Sequence, residues 1–504
     1  MSMDLFIVWS RTILLVGLLA FFGGSLILGL QHDDRESGFG PLRQGTGQDP
    51  GIRVLLTNRY LAGKEVTEGK LVHEAVDLTM HQAVVVVTPN DPDNPERQLE
   101  LPAGSRLSVM TDINDGLVLS SREWGVGGRE VRWQVSRIVI QPQKTAPAAN
   151  AEEATRSPAL RDPTVFEADN NDEVFSLQGR RYRGSVEISW STPKEMHVIN
   201  CLPLEAYVDG VVAVEMSAGY PLEALKAQAI ASRSYGYAKA WAARSLAARS
   251  SNHKQVFDVV DGIDDQDYRG TGKGPPLISR SVIETRGIVT FTDLPQGSFP
   301  FAPLFSASSG GYTAASDTVF RDYRDAHGHV IGASVMPAQP DPFCQPGAEG
   351  LGKGVTHWQT TEVVTPAMIR QELFKLAKRT KDPRLEQLGW IKDLRVGKRS
   401  SISNRVDTVI IHHSTGDPIE LPAHLFRMAI GPGRIRSTLW SADSPKRIDS
   451  QDDKNTKNYQ ITSYGWGHGV GMSQISAWEM ARQGWVAKNI LTFFYPRVTL
   501  KTLW

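Results

Sequence analysis

Surplus charge is missing from this sequence: over 504 residues, 55 Lys and Arg balance 55 Asp and Glu, for a formal net charge of +0. A chain that binds nucleic acid through an overall cationic field is thereby excluded. Cysteine is scarce too. The 2 residues present, Cys201 and Cys344, rule out a disulfide framework and an all-cysteine zinc site, leaving one bridge or two free thiols open. No repeat of fixed period runs through the chain. What is there is ordinary for folded protein: 40% apolar and 8% aromatic residues argue against a highly charged disordered chain. The length suits two to four domains of roughly 100–200 residues each.

Long apolar runs are equally rare; there is one. Residues 12–30, TILLVGLLAFFGGSLILGL, carry no charge over nineteen positions, about the length that crosses a bilayer core of ~30 Å at ~1.5 Å per residue. Arg11 precedes the run and the acidic-leaning HDDRE follows it, so the Lys/Arg bias puts the N-terminus inside. The reading is an uncleaved single-pass anchor over residues 1–30, with the bulk of the chain outside the cytoplasm in the cell envelope. A cleaved signal peptide is the alternative; the length of the run and the lack of an A-x-A-like site after it stand against that.

Residues 31–50, rich in Gly, Asp and Arg, read as a linker. Over 51–140, short β-prone runs (IRVLL, AVVVV, RLSVM, GLVLS, VRWQV, RIVI) alternate with turn residues such as Asn114-Asp115-Gly116, which predicts a small β-rich accessory domain. The Pro/Ala-rich stretch 141–164 reads as a second linker, and a further domain is expected over 165–504. Its pattern predicts strands within 175–200, a strand-rich part over 281–317, helices over 365–377 and 421–428, strands over 391–396 and 408–412, and closing helices over 473–482 and 486–493. The class is α+β, with mixed sheets and a substrate groove.

The most informative segment is CLPLEAYVDGVVAVEMSAGYPLEALKAQAIASRSYGYAKAWAARSLAARS. Pro203 suits a helix start, and Leu204, Tyr207, Val211 and Val212 recur at helical intervals, so a short helix should end near Glu215. Pro221 suits the start of the next helix, whose buried face would carry Leu222, Leu225, Ala229 and Ser232. Lys226, Arg233 and Tyr237, seven and four residues apart, fall on another face. Glu215 then lies at a helix-to-helix junction. A partly desolvated carboxyl there can hold a proton at neutral pH and donate it; an exposed or salt-bridged helix-end residue is the other reading.

Near the C-terminus, Tyr464-Gly465-Trp466-Gly467-His468-Gly469-Val470-Gly471-Met472-Ser473-Gln474 alternates four glycines with larger residues. Glycine costs backbone entropy and fills no volume in a strand, so a loop is expected, in which the backbone approaches a ligand or another segment. No Gly-Lys-Ser/Thr follows, which excludes a phosphate-binding loop. The small, hydroxyl-rich Phe305-Ser306-Ala307-Ser308-Ser309-Gly310-Gly311-Tyr312-Thr313 lacks the G-x-S-x-G elbow of serine hydrolases.

Taken together, LPLEAYVDGVVAVEM, PLEALKAQAIASRSY, SASSGGYTAAS and GWGHGVGMSQ, in this order, resemble the SpoIID/LytB-domain family over residues 174–504. These are exported cell-wall proteins that include a sporulation lytic transglycosylase and an amidase enhancer. The resemblance implies that the catalytic acid/base is the glutamate of the VEM motif, Glu215. It would protonate the glycosidic oxygen between N-acetylmuramic acid and N-acetylglucosamine, then take the proton of the muramic C6 hydroxyl as the 1,6-anhydro ring closes. One carboxyl group serves both steps in turn, whereas glycoside hydrolysis usually uses a pair about 5–9.5 Å apart.

Substrate-binding roles follow for Lys226, Arg233, Tyr235, Ser308, Ser309, Tyr312, Trp466, His468 and Gln474, with Lys226 and Arg233 holding Glu215 or a substrate oxygen and Trp466 stacking on sugar. Glu215, Arg233, Ser309 and His468 are expected in one groove. Some family members place Cys, His and Cys metal ligands where this chain has Val260, Asp264 and Asp265, in a pattern close to FDxCDTTHCQxYxG. Neither metal nor cofactor is therefore expected, and Asp258, Asp261, Asp264, Asp265 and Asp267 read as an exposed acidic turn. The partners implied are peptidoglycan glycan strands, the membrane through the N-terminal segment, and, if the chain is instead a non-catalytic enhancer of the LytB type, a cell-wall amidase; nucleic acid is not among them.

Overall fold

The computed structural model describes residues 49–57, 75–88, 97–112, 116–121, 130–133, 137–143, 173–192, 195–216, 218–247, 257–262, 264–270, 276–294, 297–320, 335–344, 359–450 and 457–504. The expected anchor and most of both expected linkers lie outside these residues. Among the described residues, no helix is long and apolar enough to cross a membrane. The class is α+β, and the chain divides into two compact units. The N-terminal unit runs to Thr290 and takes in Leu500–Trp504; the C-terminal unit covers Phe291–Thr499.

Two sheets build the N-terminal unit. Its strands are β1 (Gly51–Leu56), β2 (Ala75–Met80), β3 (Val84–Val87), β4 (Gln98–Leu101), β5 (Arg106–Asp112), β6 (Gly116–Ser121), β7 (Glu130–Trp133), β8 (Arg137–Pro142), β9 (Phe175–Leu177), β10 (Arg180–Tyr182), β11 (Ser185–Thr192), β12 (Glu195–Pro203) and the short β13 (Val259–Val260). One sheet has the order β13-β1-β12-β11-β8-β3-β4 and the other β10-β9-β2-β5-β6-β7. The runs read as strands are strands, β2 and β4 being additional to them. Their grouping differs from expectation. β1 pairs antiparallel with β12, Ile52 opposite Leu202, and β8 pairs with β11. The 51–140 region therefore shares both sheets with 175–203 instead of closing a domain of its own: its apolar faces (Val54, Val84, Val86, Ile138, Ile140) are buried with those of Val186, Ile188 and Val198.

Two helices follow β12 directly, α1 (Leu204–Glu215) and α2 (Leu222–Ala247). Pro203 is the residue before α1, and its φ of -57° leads the chain into the helix. The cap comes from a distant residue: the Asp49 carboxylate accepts the backbone N–H groups of Leu204 (2.9 Å) and Glu205 (3.2 Å). α1 buries Tyr207, Val208, Val211 and Val212, and α2 buries Leu225, Ala229 and Ser232, the faces expected from spacing. Gly210 allows close approach to the Tyr268 ring, which a Cβ would meet at 2.7 Å. α3 (Pro276–Glu284) occupies the start of the stretch expected to be strand-rich; β14 (Ile288–Leu294) follows it.

In the C-terminal unit come β15 (Gly297–Pro300), β16 (Phe305–Ser306), α4 (Ser316–Val319), β17 (Gln359–Val364), α5 (Pro366–Thr380), α6 (Pro383–Glu386), β18 (Ile391–Arg399), β19 (Val406–His413), β20 (Ile419–Pro422), α7 (Ala423–Ile430), β21 (Lys446–Asp449), β22 (Lys457–Tyr464), β23 (Met472–Ser473), α8 (Gln474–Arg482), α9 (Ala487–Phe494) and β24 (Val498–Thr502). Two three-stranded sheets, β17-β22-β21 and β18-β19-β20, enclose with α5 and α7 a core that includes Ile369, Leu373, Val409, Ile411, Phe426 and Trp440. The helices and strands predicted here are present, with β17, α6, β20, β21 and β22 additional to them; α5 is begun by Thr365, whose hydroxyl accepts the Met368 N–H at 3.1 Å.

Burial and the neighbouring Glu205 carboxylate push the Asp49 carboxyl up to about 7 from 3.8. The folded protein thus holds this proton more tightly than the unfolded chain, and the associated stability, full below pH 4, is lost as pH rises towards 7. Asp49→Asn keeps a capping oxygen but cannot titrate. Urea midpoints of both proteins from pH 4 to 8 should show wild type losing ground to the variant over that window, by at most about 4 kcal/mol; parallel curves would contradict this assignment.

Candidate active site

Glu215 is the last residue of α1 and is half-buried. Its Oε1 accepts the backbone N–H of Asp267 at 3.0 Å, which ties the end of α1 to the 257–270 segment. Above it on α1, Tyr207 is fully buried, and its hydroxyl has no hydrogen-bond partner among the described residues. Burial, and then the charges of Asp265, Tyr268, Glu215 and Asp261, push that phenol well up, so it stays protonated.

Arg233 does not hold Glu215. Its guanidinium, 0% exposed, makes a bidentate pair with Glu205 (Nε–Oε1 2.9 Å, Nη2–Oε2 2.7 Å) and donates to the Val282 carbonyl at 3.2 Å. Glu205 also accepts the Gly287 N–H at 3.0 Å and the Trp504 indole N–H at 3.1 Å. The fork of donors on Arg233 matches the carboxylate plane, and burial makes the match structural. Both charges sit in the motifs quoted above, LPLEAYV and ASRSY. Lys226 is half-buried and pairs with Glu223 (2.8 Å) and Glu284 (2.7 Å). The stripe read as cationic is thus neutralised by carboxylates other than Glu215.

The acidic segment is not an exposed turn. Asp258 is 2% exposed and accepts from Arg53 (2.7 Å) and Arg244 (2.9 Å), which hold it ionised and below its usual range against the cost of burial. Asp261 is buried and accepts the Thr57 N–H at 2.8 Å. Asp265 accepts from the Tyr235 hydroxyl at 2.6 Å, from Lys239 at 3.0 Å and from the Val260 N–H at 2.8 Å. Asp264 is exposed, and Asp267 pairs with Arg269 at 2.6 Å. These residues do not fit a zinc ion: Val260 offers no ligand atom, and both Asp265 oxygens already accept hydrogen bonds. Tyr235, 6% exposed, is committed to Asp265.

The other candidates belong to the C-terminal unit, where β16 runs parallel to β23 with Phe305 opposite Met472. Ser308 and Trp466 exchange backbone hydrogen bonds at 3.0 Å each, so the hydroxyl-rich and glycine-rich motifs lie against each other. Close approach accounts for the glycines: a Cβ at Gly471, where φ is +71°, would meet the Leu304 carbonyl oxygen at 2.0 Å. At Gly469 it would meet the Arg405 guanidinium at 2.3 Å. Ser308 and Ser309 are each 1% exposed. The Ser309 hydroxyl donates to Asp341 at 2.6 Å, as does Ser476 at 2.7 Å, and Cys344 lies 3.0 Å from Ser309. These serines are buried, and their hydroxyls bond within the loops. Asp341 was not legible in the sequence; it is buried with no ion-pair partner among the described residues, and desolvation pushes its carboxyl up.

His468 is half-buried; burial and then the nearby His424 push it down to about 3, and its Nδ1 accepts the Val470 N–H at 3.0 Å. It is a neutral imidazole within the loop. Arg436 lies 4.4 Å over the Trp466 ring, a cation–π contact. Gln474 is 6% exposed at the start of α8, whereas Tyr312 is 36% exposed. Tyr312, Gly310 and Gly311 line a cavity of about 360 Å³ with Asn404, Ser441 and Tyr464. Both cysteines are buried free thiols; burial pushes Cys344 up to about 11. Glu215, Lys226, Arg233 and Tyr235 therefore group in one unit and the remaining candidates in the other.

The motif order is that of SpoIID/LytB-domain proteins. Residues 192–291 match the family model described as Stage II sporulation protein, SpoIID, so this stretch carries the resemblance to that family. A second model, Domain of unknown function (DUF8618), matches residues 347–471. The chain is 27% identical to an uncharacterized protein of Brachyspira hyodysenteriae over 67% of its own length and 76% of the relative's. It is 27% identical to the Amidase enhancer of Bacillus subtilis over 65% of this chain and 45% of that protein. To the Stage II sporulation protein D of Bacillus subtilis it is 26% identical, over 58% of this chain and 73% of the relative.

Removing one member of the Arg233–Glu205 pair strands a buried charge, so Arg233→Met should cost about 3–5 kcal/mol by urea denaturation. Adding Glu205→Met should recover part of that loss. Independent, additive losses would show that the two side chains do not act as a pair.

Proposed function

We propose that the chain is a peptidoglycan-directed lytic transglycosylase with Glu215 as its single acid/base, anchored in the membrane by its N-terminal segment and acting in the cell envelope. The observation that carries this reading is the placement of Glu215. Its carboxylate ends α1 while one oxygen is fixed by the Asp267 N–H at 3.0 Å. A carboxyl group held by a backbone amide has a defined orientation, which proton transfer needs.

In the first step the protonated carboxyl delivers its proton to the glycosidic oxygen as the bond to muramic C1 breaks. In the second the carboxylate removes the C6 hydroxyl proton while that oxygen attacks C1. The 1,6-anhydro ring forms, no water is consumed, and Glu215 ends protonated as it began. The substrate is a polysaccharide, which local hydrogen bonds and aromatic faces recognise. A second reading is favoured by the 27% identity to a protein named Amidase enhancer: a wall-binding auxiliary that stimulates an amidase without cleaving glycan.

Glu215→Gln is isosteric and cannot cycle a proton. On purified glycan strands, mass analysis should show anhydromuramic products reduced at least about 100-fold. Wild-type yield from the variant would remove Glu215 from the reaction. Stimulation of a cell-wall amidase, unchanged by the substitution and without anhydro-sugar release by wild type, would establish the auxiliary reading instead.

A further inference from the structure

We propose that Asp265 is a positioning residue for Glu215: its carboxylate clamps the 257–270 segment onto α2 and so fixes the Asp267 amide that holds the Glu215 carboxylate. This rests on the reading of Glu215 as the acid/base. The Asp265 side chain is 7% exposed, and each oxygen has its own task. Oδ1 accepts from Tyr235 (2.6 Å) and Lys239 (3.0 Å), which stand one turn apart on α2. Oδ2 accepts the N–H of Val260 at 2.8 Å, closing the segment on itself.

Between clamp and amide the chain is short and well braced. Gln266 donates its side-chain amide to the Ser232 carbonyl of α2 at 3.2 Å, and its own carbonyl accepts the Gly262 N–H at 3.0 Å. The next residue is Asp267, whose N–H reaches Glu215 at 3.0 Å. On its other side the Tyr268 hydroxyl donates to Asn200 at 2.9 Å. The Asp267 amide is thus fixed from both flanks, by the Asp265 clamp and by Tyr268. The zinc ligands that Cys, His and Cys would supply at 260, 264 and 265 are replaced by a hydrogen-bonded clasp: Asp265 accepts from residue 260 directly. The segment needs no metal to hold its shape.

A displaced carboxylate misaligns the proton, which lowers turnover more than substrate affinity. In Asp265→Ala, kcat on glycan strands should fall at least about 10-fold with KM within about 2-fold. Hydrogen exchange at the Asp267 amide should quicken by at least about 10-fold, since its bond to Glu215 is no longer held. Asp265→Asn, which keeps an acceptor for Val260 but loses the Lys239 charge pair, should fall between. If Asp265→Ala does not fold, Lys239→Met carries the same two readouts, because that side chain is 29% exposed. Unchanged exchange at Asp267 in a folded variant would overturn the clamp, whatever the activity. Faster exchange with full kcat would show a clamp that does not position the reaction and would also overturn the inference. Should Glu215→Gln remain active, the functional reading fails separately, while the exchange result still decides the clamp.

Discussion

The bidentate pair between Arg233 and Glu205 is the constraint on which the N-terminal unit depends. It joins the first turn of α1 to the middle of α2, and the same carboxylate gathers the Gly287 amide and the Trp504 indole. Solvent-exposed ion pairs contribute about 0–1 kcal/mol. A fully buried guanidinium differs in kind: its partner's loss costs several times that, so the pair dictates register even where it adds little net stability. With α1 and α2 locked, the end of α1 has one available position. Glu215 is placed there by the helix, and its carboxylate is then oriented by the segment that Asp265 holds.

Much of this was legible in the sequence because local rules and tertiary packing agree. Pro203 and the spacing of Tyr207, Val211 and Val212 gave a helix ending at Glu215, and the structure ends it there. Periodicity likewise located α5, α7, α8 and α9. Strand grouping was less accessible: Ile52 opposite Leu202 is a contact across about 150 positions, and no local pattern encodes it. Charge was misleading for a related reason. A helical wheel shows that Lys226 and Arg233 share a face but not which carboxylates lie opposite, and no local pattern pairs Arg233 with Glu205, 28 positions away. The aspartates of the 257–270 segment resemble a solvated turn until Arg53 and Arg244, remote in sequence, are seen to close on Asp258.

The glycine-rich and hydroxyl-rich motifs teach a different lesson. Their composition admits two uses, close approach to a ligand or close approach of backbone to backbone. In the C-terminal unit the second holds for most of the residues singled out. Gly471 is required by the Leu304 carbonyl, Gly469 by the Arg405 guanidinium, and Ser309 by Asp341. Arg405 shows how committed the interior is: buried, it donates to the Ser309 and Tyr312 carbonyls, and burial pushes it down to about 10. Tyr312 keeps an exposed ring on this frame.

In the proposed reaction one carboxyl group closes an anhydro ring without water. The direct measurement is digestion of purified glycan strands by the wild-type protein in water enriched in oxygen-18, followed by mass analysis of the new muramic ends. The account predicts ends that carry no label and lack the mass of one water relative to hydrolysed ends. Labelled reducing ends, or intact strands, would contradict it.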